Sequence, residues 1–303
     1  MHPKIEILQL SNNTTSERKA FFKRLRGKDS EGAEMSFMDH LEVLRWHIFR
    51  VAIVLVVVAC VAFFYVNWIF DNILMAPSRS SFITYSGLCN LGHKLHLGDS
   101  LCMPPINLQL LGTTVSGPFM SAINISFISA IVVAFPYLIW ELWRFVKPAL
   151  SAKEIGYARG SIGWVSLCFF SGAAFGYYLL APFTFNFLAN FTLGNLGVYK
   201  YMPTLDDYID TLTSLILGCG MAFELPVLAY VLSKLGLITP KFLKNYRKYA
   251  YVIILIVAAV ITPSPDWTSQ SIVAVPLILL YEISIFISKR VDNKRVKEEA
   301  AWD

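Results

Sequence analysis

The stretch Leu212-Thr-Ser-Leu-Ile-Leu-Gly-Cys219-Gly-Met-Ala-Phe-Glu224-Leu-Pro226-Val-Leu-Ala-Tyr-Val-Leu232 decides the fold. As a helix rising about 1.5 Å per residue, it is long enough to cross a hydrocarbon core about 30 Å thick. Within it stands one carboxylate, Glu224. Placing such a group near the middle of a bilayer costs about 2.5–3.5 kcal/mol on insertion scales. Two residues later Pro226 lacks the N–H that would have bonded the carbonyl of Ala222. One turn therefore holds an acid and an unpaired backbone acceptor in a medium without water. That combination calls for a partner group, a wet cavity or a function. The plainer reading is an acid hydrogen-bonded within its own bundle.

On either side of this segment the chain keeps the same character. Of 303 residues, 55% are hydrophobic and 16% charged, and the mean hydropathy of +0.54 lies outside the range of water-soluble domains. Six apolar segments are read: Ile48–Phe70, Phe119–Trp140, Ile162–Phe183, Leu212–Leu232, Tyr249–Ile261 and Ser271–Ser288. Trp68, Trp140, Trp143, Tyr177, Tyr178, Tyr246, Tyr249 and Tyr281 gather at their ends, as an interfacial belt requires. The expected fold is thus an all-α integral membrane protein with six transmembrane helices. The fifth segment is short, reaching only about 20 Å as a helix, so the bilayer thins there or the charged ends snorkel.

Orientation follows from the 26 basic residues. All but Arg79, Lys94 and Lys200 fall in residues 1–50, 141–159, 234–248 and 289–303. The positive-inside rule places those regions, and hence both termini, in the cytoplasm. Loops 71–118, 184–211 and 262–270 then face outward, the second made acidic by Asp206, Asp207 and Asp210. Residues 1–36 read as a retained basic cytoplasmic tail, 37–290 as the membrane domain and 291–303 as a cytoplasmic C-terminal tail. The net charge of +5 is topological and does not point to nucleic acid; the lipid bilayer is the expected surroundings.

Cys60, Cys168 and Cys219 lie in apolar segments, where a lone cysteine serves as a small filler. Cys89 and Cys102 share the first outer loop, where a disulfide would contribute on the order of 3 kcal/mol. Two free thiols are the alternative. A third reading groups Cys89, His93, His96 and Cys102 as a zinc set, although their spacing is irregular. The disulfide is the preferred reading, and no metal is expected.

Several chemistries lack their parts. No segment carries a His, a His-Glu-x-x-His or a Gly-x-Ser-x-Gly, and no phosphate-binding loop is present. Neither an enzyme nor a nucleotide cofactor is expected. What remains is Glu224 together with Glu42, Glu141 and Glu154 at the basic cytoplasmic face. Solvated helix ends are the plain reading of those three; a site for a cationic ligand is the functional one.

Four motifs carry a family resemblance. Asp39-His-Leu-Glu-Val-Leu-Arg45, the run Phe135-Pro-Tyr-Leu-Ile-Trp-Glu-Leu-Trp-Arg-Phe145-Val-Lys-Pro148-Ala-Leu-Ser-Ala-Lys-Glu154, Phe223-Glu-Leu-Pro226 and Thr262-Pro-Ser-Pro-Asp266-Trp-Thr-Ser-Gln270 resemble, in order and spacing, the TatC family. This is the polytopic receptor of the twin-arginine protein translocase, and the likeness covers residues 36–290. It implies a glove-like bundle of six helices with short fifth and sixth members, in a bacterial inner membrane. It also implies that cytoplasmic acids receive the arginine pair of a folded cargo's signal peptide. Glu154, with Phe145 as its aromatic neighbour, is the principal acceptor on this reading, with Glu42, Arg45 and Glu141 beside it. Glu224 and Pro226 take the embedded position that faces TatA/TatB-type single-span subunits. Asp266 and Gln270 fall at the outer turn before the sixth helix.

Self-association and use of the proton-motive force are further implications of the resemblance. Two departures stand out. Val43 occupies the position where the family has Glu, leaving Glu42 about 100° away around the helix. Glu141 replaces a common Gln. The chemistry agrees with the resemblance, because adjacent guanidinium groups need more than one carboxylate and gain from aromatic stacking. The alternatives are a proton-coupled secondary transporter using Glu224 as a relay and a scaffold indifferent to Glu224→Gln.

Overall fold

The computed structural model describes residues 37–79, 81–94, 96, 102, 108–147, 161–190, 202–234, 236–262 and 267–299. Two compact units divide at Phe49 and Arg50, within the first helix. That helix, α1, runs Phe37–Phe64 without a Gly or Pro. Its many β-branched residues are mediocre helix formers in water. In lipid the need to satisfy every backbone group internally overrides that preference. In the first unit Trp46 and Phe49 meet edge to face, with ring centroids 6.1 Å apart.

All remaining elements belong to the second unit. α1 ends at Phe64, and after a helical turn at Val66–Ile69 the chain widens into a π turn, Phe70–Leu74, and then tightens into a 3₁₀ turn, Ala76–Ser78. The expected outer loop 71–118 is not all loop, for helix α2 occupies Ile83–Lys94. Tyrosine hydroxyls tie this region down. Tyr177 donates to the carbonyl of Ile73 at 2.7 Å and Tyr208 to that of Leu74 at 2.6 Å. Tyr85 reaches the carbonyls of Pro77 and Pro182 at 3.0 and 3.2 Å. Burial pushes the Tyr85 phenol well above its ordinary range.

Helix α3 spans Gly117–Val146 with Pro136 inside it. α4, Ser161–Phe175, continues through a π turn at Gly176–Leu180 into α5, Ala181–Asn190. α6, Leu205–Ala222, opens on Thr204, whose hydroxyl accepts from the Asp207 N–H at 3.1 Å, and Asp206 and Asp207 complement the helix dipole in its first turn. The expected loop 184–211 is therefore shorter than its polarity suggested. Its acids lie on α6, where Asp206 accepts from Ser121 at 2.6 Å and Asp210 from Asn124 at 3.4 Å.

α7, Leu225–Lys234, is followed by α8, Pro240–Asn245, α9, Arg247–Ile261, and α10, Trp267–Glu299. The expectation of a short sixth helix is corrected: α10 has 33 residues. Among the described residues there is no named strand, and one isolated parallel bridge joins Leu111 to Thr204. Among the described residues, five helical segments are long and apolar enough to cross a membrane: Glu42–Phe64, Gly117–Val146, Ile162–Asn190, Leu205–Lys234 and Gln270–Asn293. α9, with 15 residues, is shorter than these.

α4 lies against α6 through Gly172 and Gly176. A Cβ at Gly172 would stand 2.5 Å from the Cys219 carbonyl oxygen, and one at Gly176 would stand 2.5 Å from that of Leu215. Small residues four apart allow this approach where packing, not water exclusion, drives helix association. The buried core gathers Phe185, Tyr208, Leu215, Ala258, Val273 and Leu277. α7 and α10 share a buried Ser233–Ser288 hydrogen bond of 2.7 Å. Val56 and Val61 on α1 and Ile256 and Val260 on α9 stay exposed, as suits surfaces solvated by lipid.

Candidate functional site

Glu224 stands in a two-residue break between α6 and α7. Phe223 N–H still bonds the Cys219 carbonyl at 3.0 Å, but Glu224 N–H turns to Met221 at 3.1 Å, the tighter spacing of a closing turn. Leu225 and Pro226 then begin a new helix, where a missing N–H is tolerated. The proline thus splits the fourth apolar segment in two. Phe223 is half-buried, its Cβ 2.7 Å from where a Gly172 Cβ would lie.

The Glu224 carboxyl lies beside Cys168 and the Phe169 backbone of α4. Its Oε1 is buried without a hydrogen-bond partner, the one such side-chain atom among the described residues. Buried polar groups are overwhelmingly paired, so this oxygen stands out among the buried side chains.

Glu141 behaves differently from expectation. It is buried on α3, and its two oxygens accept from Arg50 at 2.8 Å and Arg144 at 3.4 Å. The Arg144 guanidinium also lies 5.0 Å from the Trp140 ring centroid. The plain reading of this position, a solvated helix end, does not hold: the acid is buried and takes two of the chain's own arginines. Phe145, on the last turn of α3, is half-buried. Glu42 and Arg45 are exposed on α1, with Arg45 6.0 Å from the Trp46 ring centroid. Glu154 and Asp266 lie outside the described residues. Gln270 donates to the Leu255 carbonyl of α9 at 3.2 Å. Cys89 and Cys102 are joined as a disulfide, with Cα atoms 4.3 Å apart.

Sequence reasoning passed over two features. Glu282, an acid inside the sixth apolar segment, accepts from Arg247 at 2.5 Å and from Tyr251 at 2.7 Å, tying α9 to α10. Its signal was an acid in a span facing the basic entry of the preceding one. Gly172-x-x-x-Gly176 was the other, a spacing that marks close helix approach.

Long apolar helices, a carboxyl set at a proline break and a band of arginines at helix ends define a multi-pass helical membrane protein. The family model for the Sec-independent protein translocase protein TatC matches residues 39–276. A TatC of Blattabacterium sp. subsp. Periplaneta americana (strain BPLAN) is 37% identical over 267 residues, covering 88% of this chain and 99% of the relative. One from Helicobacter pylori (strain J99) is 47% identical over 173 residues, 57% and 68% of the two chains. The crystal structure of the twin-arginine translocase receptor TatC matches with a TM-score of 0.64 at 31% identity, covering 84% of this chain and 99% of that one. The chain belongs to the TatC family and is a component of the Sec-independent protein translocase, a protein-transport system of the membrane.

Proposed function

We infer that this chain is the receptor subunit of its translocase, taking the arginine pair of a cargo signal peptide at its cytoplasmic face and passing folded cargo on with single-span TatA/TatB-type partners. The observation that carries this reading is Glu224, with its buried, unpartnered oxygen at the break between α6 and α7. Such an oxygen can accept from, or once protonated donate to, a polar group on a helix of another subunit. The solved relative described as a twin-arginine translocase receptor supports the same role.

Glu154 is the principal acceptor and Phe145 its stacking neighbour, with Glu42 and Arg45 at the entry of α1. Glu141 organises this face through Arg50 and Arg144 and does not itself receive the signal. Asp266 and Gln270 shape the outer turn. α9 is the short fifth crossing of six in a glove-like bundle, both termini are cytoplasmic, and the membrane is a bacterial inner membrane. The proton-motive force supplies the energy. Copies of the chain associate within the complex.

The test is site-specific crosslinking to an Arg-Arg signal peptide. A charge-assisted hydrogen bond contributes about 1.5–3 kcal/mol, so Glu154→Gln should weaken capture by roughly ten- to a hundredfold at normal membrane levels. Glu42→Gln should cost less. Full capture by Glu154→Gln together with loss in Glu42→Gln would assign the role to the wrong acid.

A further inference from the structure

Cys89 and His93 sit one turn apart on α2, so their side chains share a face. The disulfide brings Cys102 back onto that face. The two sulfurs and a His93 ring nitrogen all lie within 4.8 Å of one another. His96, at φ 56°, stands outside this group. His93 is exposed and both cysteines are half-buried, so solutes reach the cluster. Three donors of the type S, S and N on a preformed helix match half-soft coordination, in which tetrahedral zinc holds such atoms about 3.5–3.8 Å apart. The helix therefore needs no rebuilding to accept an ion once the sulfurs separate.

We propose that Cys89, His93 and Cys102 form a redox-gated site for a borderline divalent cation of the zinc type, which replaces the disulfide as the tie between α2 and the segment at Cys102. This assignment is independent of the receptor reading. An external dithiol transfers two electrons and two protons to the Cys89–Cys102 bond. That bond breaks to give two thiols, and the reductant becomes a disulfide. On metal entry the two thiol protons leave to water, and a ring nitrogen of His93 supplies a lone pair. One dication then faces two thiolates, the charges cancel, and water completes the tetrahedron. Either state holds the same two points of the chain together, while the metal-free dithiol releases them.

The full chain in lipid nanodiscs is treated with maleimide to block its free thiols, then reduced with a phosphine, and titrated with Co(II) and Zn(II). The reduced protein should take up one equivalent of Co(II) with thiolate charge-transfer and tetrahedral visible bands, and Zn(II) should displace it. Blocked but unreduced protein should show neither. His93→Ala should weaken binding by roughly tenfold or more, whereas His96→Ala should leave it unchanged. His93→Cys, which restores a soft ligand, should regain binding, and thermal unfolding of the oxidised variants separates loss of a ligand from loss of the fold. Absence of the bands in the reduced protein, or equal affinity in His93→Ala, overturns the site. Amide hydrogen exchange on α2 reads the tie itself. Exchange should be slow when the protein is oxidised or reduced with Zn(II), and faster when it is reduced without metal. Fast exchange despite bound Zn(II) overturns the replacement of one tie by the other.

Discussion

Arg50 donates through Nη1 to Oε1 of Glu141 at 2.8 Å, linking α1 to α3 across 91 residues of sequence. The pair is lopsided, for the Glu141 side chain is 0% exposed and that of Arg50 is 42% exposed.

That imbalance predicts unequal substitutions. Removing Arg50 takes the closer of two arginines from a buried carboxylate, whereas Glu141→Gln keeps shape and an acceptor while the half-exposed guanidinium groups return to water. Arg50→Gln should lower stability by about 1.5–3 kcal/mol, and Glu141→Gln by about 0.5–1.5 kcal/mol after allowance for solvent screening. Thermal unfolding of both variants in one detergent checks the order, and a reversed order would remove this account of the pair.

Gly172 and Gly176 predict steric intolerance. A side chain at either position meets a backbone carbonyl of α6 at 2.5 Å, and backbone cannot step aside as a flexible side chain can. Gly172→Leu and Gly176→Val should each destabilise by about 1–3 kcal/mol or more and reduce folded protein in the membrane. Gly163→Ala, whose Cβ meets nothing within 4 Å, is the matched control. Equal stability of all three by the same unfolding assay would contradict the close approach of α4 and α6.

Glu224 predicts a split between stability and assembly. Because Oε1 has no internal hydrogen bond, Glu224→Ala should insert and unfold much like the parent. A polar contact between membrane helices contributes about 0.6–2 kcal/mol, so co-purification of a single-span partner should fall several-fold. Glu224→Gln, still a donor, should retain part of that association. Loss of folded chain in both variants would make the residue structural.

Hydropathy placed the long helices because membrane insertion is decided segment by segment, by length and apolar content. It misjudged their ends. Asp206, Asp207 and Asp210 looked like loop, yet capping by Thr204 and bonds from Ser121 and Asn124 hold them on α6. Hydropathy ended the sixth apolar segment at Ser288, yet the helix that carries it, α10, runs on to Glu299. Glu224 stood out at once, since an acid and a proline two residues apart are anomalous in any apolar run. Glu141 drew notice only as an acid at the basic face; its burial was not legible, because its partner Arg50 is remote in sequence.

Apolar segments of spanning length establish, without coordinates, a helical membrane protein, and four short motifs carry the family. These are local properties, since a lipid solvent forces each apolar segment to close its own backbone hydrogen bonds. Only the tertiary structure decided which charges are used internally and which are left open: Glu141 is held by two arginines, while Glu224 keeps an oxygen without a partner. Pairing depends on which side chains converge when helices pack, and on approaches as close as that of Gly172 to α6. No one-dimensional pattern encodes that convergence.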